Sequence, residues 1–188
     1  MALTPDTLTD ITLAQIRAGE RDAFELLFRC WYGRLASYAA SLTRNRDGAE
    51  DVVQELFVTL WNKRESLPDL EKLPAYLHRA TRNRALNQLR SQRTAGKWLA
   101  TQDADPATPA VAESELLGQE VAARIKAALA ALAPRSREIF LLNRDQGLTY
   151  VAIAETLRIS VKTVETLMSR SLKALRLSLA DLVDPAEP

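Results

Sequence analysis

Cysteine is almost missing: Cys30 is the only one in 188 residues. No intramolecular disulfide can therefore form, no cysteine-based zinc site can be assembled, and the chain fits a reducing compartment. Histidine is as scarce. His78 stands alone in a basic helical pattern with no candidate nucleophile beside it, so a surface or groove-lining role is expected and acid–base catalysis is not. With 6 Gly and 6% aromatic residues there is no phosphate-cradling Gly loop, and no HExxH occurs. No catalytic residue, metal or cofactor is expected. No apolar run approaches the ~20 residues needed to span a bilayer, and Met1 opens no basic and apolar leader. The expectation is a cytoplasmic protein with no membrane insertion.

What is present is ordinary globular material, 47% hydrophobic and 26% charged, rich in Ala, Leu, Arg and Glu. These side chains lose little rotamer freedom in a helix, so the predicted fold class is all-α. Net charge is only +1, but the charges are sorted into blocks. From Lys72 to Lys97 there are seven Lys or Arg and no acid; from Trp98 to Ala123 there are five acids and no base; from Lys162 to Arg176 four bases face one acid, Glu165. Two basic segments are separated by an acidic one, and their fields act locally.

The acidic segment contains TQDADPATPAVAES, Thr101 to Ser114, whose prolines, small residues and absent apolar period mark a flexible linker. We expect two small helical domains, 8–98 and 115–184, joined by a linker over 99–114. Before it the apolar spacing predicts three helices, about Ala14 to Leu42, Gly48 to Lys63 and Pro74 to Gln92. After it come a helix from about Glu115 to Leu132, one from Pro134, and the pair Tyr150 to Leu157 and Val161 to Leu179. Cys30, in FRCWY, reads as a small core thiol. Trp31 and Trp61 are expected in the core, and Trp98 at the end of the first domain.

The C-terminal pair has the form of a helix-turn-helix. Ile153, Ala154 and Leu157 form an inner face, Arg158 and Ile159 the turn, and Ser160 the N-cap of the second helix; Ala154 permits close crossing, and Val164 and Leu167 pack across it. On that second helix Lys162, Thr163, Thr166, Ser169, Arg170 and Lys173 share one small, polar, basic face. Alone, such a stripe is only the wet side of a helix. Behind a short turn and a packed first helix, it is shaped for the major groove, with early residues at base edges and later ones at phosphates.

In the first half, DGAEDVVQELFVTLWNKR opens with Asp47 and Glu50 in capping-box spacing. It turns Val52, Val53, Leu56, Phe57 and Leu60 inward and Asp51, Gln54 and Glu55 outward. LPAYLHRATRNRALNQLRSQR follows, with Pro74 suited to a first turn and Arg79, Asn83, Asn87 and Arg90 along one side. Amides among arginines can read bases and hold phosphates.

Taken in order, FELLFRCWYGRLASYAASLTRNRDGAEDVVQELFVTLW, AYLHRATRNRALNQLRSQR and LAPRSREIFLLNRDQGLTYVAIAETLRISVKTVETLMSRSLKALR resemble the extracytoplasmic-function (ECF) sigma factors of bacterial RNA polymerase, within the sigma-70 family. The resemblance runs from about Phe24 to Leu179, and the ending KTVETLMSRSLKAL looks closest to the iron-citrate-regulator type.

The resemblance implies a region 2 helical bundle and a region 4 helix-turn-helix. It places Asp51, Gln54 and Glu55 on the beta-prime clamp helices of core polymerase, with region 4 beside the beta flap. It gives the loop Ser66 to Lys72 the task of receiving a flipped base of the −10 element, and Arg79, Arg82, Asn83, Asn87 and Arg90 the −10 contacts. Ser160, Lys162, Thr163, Glu165, Thr166, Ser169, Arg170 and Lys173 would meet the −35 duplex. Promoter DNA and an anti-sigma factor are implied partners. The chain departs from the family in Tyr76, where many relatives have tryptophan; in its loop, which lacks the usual aromatic and glycine; and in Glu165, where a base is frequent. A carboxylate there accepts from a cytosine amino group, which implies an unusual promoter. A stand-alone helix-turn-helix regulator of response-regulator type, and a helical adaptor whose basic patches bind an acidic protein, remain the other readings.

Overall fold

The computed structural model describes residues 8–94 and 113–180. The chain divides into two compact units, Met1–Ala104 with Glu155–Leu157, and Asp105–Ala154 with Arg158–Pro188, and all regular structure among the described residues is helical. The predicted linker lies outside those residues as far as 112, as does Trp98. The next helix starts at Glu113, inside the stretch expected to be linker.

The first unit contains α1 (Asp10–Ala18), α2 (Arg21–Thr43), α3 (Arg46–Asn62), a short 3-10 turn (Arg64–Ser66) and α4 (Leu73–Thr94). The single helix expected from Ala14 to Leu42 is thus two. Gly19, at φ 91°, takes the left-handed conformation that ends α1, and its N–H returns to Gln15 O and Ile16 O. Thr9 begins α1 by accepting from Thr12 N at 3.2 Å. The expected capping box at Asp47 and Glu50 does not form. Asn45 is the N-cap of α3, accepting from Gly48 N at 3.1 Å, and Glu50 instead reaches back to Arg46 at 3.3 Å. The cap sits two residues earlier because Asn45 has extended backbone while Asp47 is already helical.

The core lies between α2, α3 and α4. Leu27, Trp31, Leu35, Val53, Leu56, Leu60, Leu73 and Leu77 are essentially closed to solvent, with Ile16 of α1 packed on the end. Each such side chain contributes roughly 1.5–3 kcal/mol relative to exposure. Cys30 is buried as expected, and that burial raises its thiol pKa. His78 corrects the sequence reading: it is fully buried, its Nδ1–H donating to Pro74 O at 2.8 Å, with the Trp31 and Tyr38 rings 5.8 and 5.3 Å away. It packs as an aromatic with one satisfied donor. Trp61 is only half-buried, edge-on to Phe24 at 5.0 Å and under the Arg64 guanidinium at 4.9 Å.

The second unit contains α5 (Glu113–Ala131), α6 (Pro134–Arg144), the first part of α7 (Tyr150–Leu157) and α8 (Val161–Ser178). Arg137 joins the first two, donating to Leu129 O at 2.8 Å, to Leu132 O at 3.3 Å and to Ala130 O. It thereby satisfies carbonyls that the end of α5 leaves open. Asn143 holds the turn before α7 through Leu148 O at 2.9 Å, and Thr149 caps α7 by accepting from Ala152 N at 3.2 Å. Ile139, Leu142, Ile153, Val164 and Met168 are buried.

Candidate nucleic-acid interface

The α7–α8 pair is built as its residues demand. Arg158, at φ 53° and ψ 51°, ends α7 in the left-handed conformation, and its N–H returns to Ala154 O. Extended Ser160 then caps α8, its Oγ accepting from Thr163 N at 3.1 Å. Val164 is fully buried while Ala154 is small and 6% exposed, which lets the helices approach. With that side closed, the opposite side of α8 is fixed outward: Lys162, Thr163, Glu165, Thr166, Ser169, Arg170 and Lys173 are all exposed.

These side chains are not equally available. Ser160 Oγ lies 2.8 Å from Thr163 Oγ1, so both hydroxyls are engaged at the cap. Thr166 Oγ1 donates to Lys162 O at 2.8 Å, and Lys162 Nζ meets Glu165 Oε2 at 3.5 Å. That exposed pair adds little stability. Its effect is local: it lowers the positive field early in α8 and leaves Arg170 and Lys173 as the stronger attraction for a phosphate. Glu165, Ser169 and Lys173 also share an open cleft of about 400 Å³, completed by Tyr150, Met168, Leu172 and Arg176.

On α4, Asn83, Asn87 and Arg90 are exposed, and Arg79 and Arg82 half-buried. Arg90 Nη1 donates to Asn87 Oδ1 at 2.8 Å, which engages that amide oxygen. Arg84, on the other side, donates to Thr59 Oγ1 of α3 at 2.8 Å. One basic helix is thus divided between a face tied to the bundle and a face open to an anion.

On α3, Asp51, Gln54 and Glu55 are exposed and adjacent. Val58, which sequence reasoning passed over, extends this face and is 63% exposed. It was visible as an apolar residue out of phase with Val53, Leu56, Phe57 and Leu60. The loop Ser66 to Lys72 is ordered from a distance: Leu67 is buried, and Arg17 of α1 donates through Nη2 to Leu67 O at 2.7 Å and to Asp69 Oδ1 at 2.9 Å. Nothing in the spacing of the sequence pairs residues fifty positions apart. Among the described residues no group of three His, Cys, Asp or Glu could hold a metal ion, and no helix is long and apolar enough to cross a membrane.

Two family models match this chain. The model of Sigma-70 region 2 matches residues 27–95 and that of Sigma-70 region 4 residues 122–175, together more than half of the chain. The ECF RNA polymerase sigma factor SigK of Mycobacterium ulcerans (strain Agy99) is 27% identical over 168 residues, covering 87% of this chain and 89% of SigK. Among solved structures, CnrH in complex with the cytosolic domain of CnrY is 28% identical at a TM-score of 0.61, covering 94% of this chain and 97% of CnrH. The sigma factor RpoE of Bartonella quintana, in complex with the anti-sigma factor NepR, is 25% identical at a TM-score of 0.59, covering 79% and 91%. The match to region 2 as well as region 4 sets aside the stand-alone regulator, which needs only the helix-turn-helix: the chain belongs to the sigma-70 family as an ECF sigma factor, a promoter-recognition subunit of RNA polymerase.

Proposed function

We propose that the three exposed faces divide the work of promoter recognition. The acidic α3 face, Asp51, Gln54 and Glu55, docks on the basic clamp helices of core polymerase. The α4 face, Arg79, Arg82, Asn83, Asn87 and Arg90, holds the opened −10 strand, with a base extruded toward the loop Ser66 to Lys72. The α8 face, from Ser160 to Lys173, reads the −35 element as duplex, and its unit lies beside the beta flap. Extruding a base costs a few kcal/mol, which contacts to the open strand must offset.

The observation that carries this reading is that exposed amide and guanidinium groups lie on α4 in one unit and an exposed polar and basic face lies on α8 in the other. Two elements on one promoter can then be engaged at once, as linked modules with a high effective concentration. The same reading makes the protein a cytoplasmic, non-catalytic specificity subunit. Anti-sigma control rests on the NepR complex of the similar Bartonella factor, and the iron-citrate-regulator subgroup on KTVETLMSRSLKAL alone.

The test is Asn83→Ala in holoenzyme. It lowers permanganate reactivity of melted −10 thymines and leaves −35 recognition intact, since the change lies in the other unit. Equal melting by variant and parent contradicts the α4 assignment.

A further inference from the structure

We propose that Arg17 of α1 is a positioning residue that sets the shape of the Ser66 to Lys72 loop and so its base preference, an inference resting on the proposed role of that loop. One nitrogen, Nη2, donates both to the main chain at Leu67 O (2.7 Å) and to the side chain of Asp69 (2.9 Å). It therefore fixes two points of the loop, on either side of Pro68, relative to α1. Leu67 is anchored in the core from below, and Asp69 O accepts from Lys72 N at 2.9 Å and Leu73 N at 3.0 Å, which closes the loop onto the start of α4. Asp69 is thus the hinge between the Arg17 contact and the first turn of the helix carrying Asn83.

The start of the segment is fitted to α1 as well. A Cβ on Gly19 would lie 3.2 Å from Arg64 Nε, so the α1–α2 corner closes directly over the 3-10 turn that opens the loop. Arg17 Nε is buried without a hydrogen-bond partner, and the guanidinium donates to the loop through Nη2. This loop lacks aromatic residues and glycine; its shape comes from two buried leucines at its borders, Leu67 and Leu73, and from this cationic tether. A guanidinium suits that position because it is always charged and directs its donors in fixed directions.

The experiment uses full-length protein assembled with core polymerase on promoters carrying each of the four bases at the non-template −10 positions. Open-complex formation is the readout, with core affinity and thermal midpoint measured beside it. Arg17→Ala reduces discrimination at one −10 position by roughly fivefold, the net scale of one ordinary hydrogen bond for a contact whose carboxylate is largely exposed, with core affinity unchanged. Arg17→Lys recovers part of the discrimination, and Asp69→Asn loses part of it. Should Arg17→Ala fail to fold, Asp69→Asn decides, because its side chain is 82% exposed. A variant with Pro68 to Glu71 replaced by four glycines separates the two layers. If it loses base preference while the Arg17 and Asp69 variants keep it, with or without a lower midpoint, the tether has no positioning role. If it keeps the preference itself, the reading of the loop fails first.

Discussion

Replacing Arg158 by glycine should stabilise the helix-turn-helix. Arg158 sits at φ 53°, ψ 51°, a conformation that costs a residue with a Cβ about 1–2 kcal/mol. Glycine escapes that cost but makes the unfolded chain more flexible, which returns about 0.4–1 kcal/mol. Because the Arg158 side chain is exposed, little packing is lost, and the net gain is about 0.5–1 kcal/mol. That corresponds to a two- to fivefold rise in protection, read as amide hydrogen exchange of α7 and α8 in the full-length chain. Arg44 provides an internal control. It ends α2 at φ 55° with its N–H on Ala40 O at 2.8 Å, so Arg44→Gly should give a similar gain confined to α2 and α3. Lower protection in both variants would refute the reasoning, since the left-handed turn would then not be the source of strain.

Further outcomes follow from the exposed faces and the buried ring. Asp51→Lys with Glu55→Lys should weaken co-purification with core polymerase while leaving the thermal midpoint nearly unchanged, because exposed charges carry little stability. Glu165→Arg, which also removes the Lys162 pair, should shift the preferred −35 sequence by about 1–3 kcal/mol at one base pair in selections on randomised duplexes. Arg170→Ala should instead weaken all sequences alike and lower the salt slope by about one counterion. His78→Ala should lower stability by about 3 kcal/mol in urea titrations, through a cavity beside Trp31 and Tyr38 and the loss of the Nδ1–H bond to Pro74 O.

Elements whose character is local were legible in the sequence. The α3 core face and its acidic back follow from apolar spacing alone, and the α7–α8 pair from a cap, a small crossing residue and a short turn. Gly19 escaped because the apolar spacing continues across it, and a single glycine inside a periodic stretch does not announce a left-handed break. The start of α3 was misread at Asp47, a residue already inside the helix, because only backbone conformation distinguishes a cap from a first-turn acid. His78 was misplaced because its neighbours in sequence are basic while its neighbours in space are aromatic. Arg17 and Asp69 belong to contacts across the bundle, which no spacing rule encodes. The charge pairing of Lys162 with Glu165 was legible in principle, as an i,i+3 pair on one helix.

The central claim is promoter-specific initiation that depends on core polymerase. The direct measurement is run-off transcription from a template library randomised at both the −10 and −35 positions, with core polymerase alone, protein alone, and both together. The account predicts transcripts only from the combination, drawn from templates that share two sequence elements, with Asn83→Ala relaxing one element and Glu165→Arg altering the other. Transcripts selected for the −35 element alone, or tight duplex selection by the protein without polymerase and no initiation with it, would contradict the account.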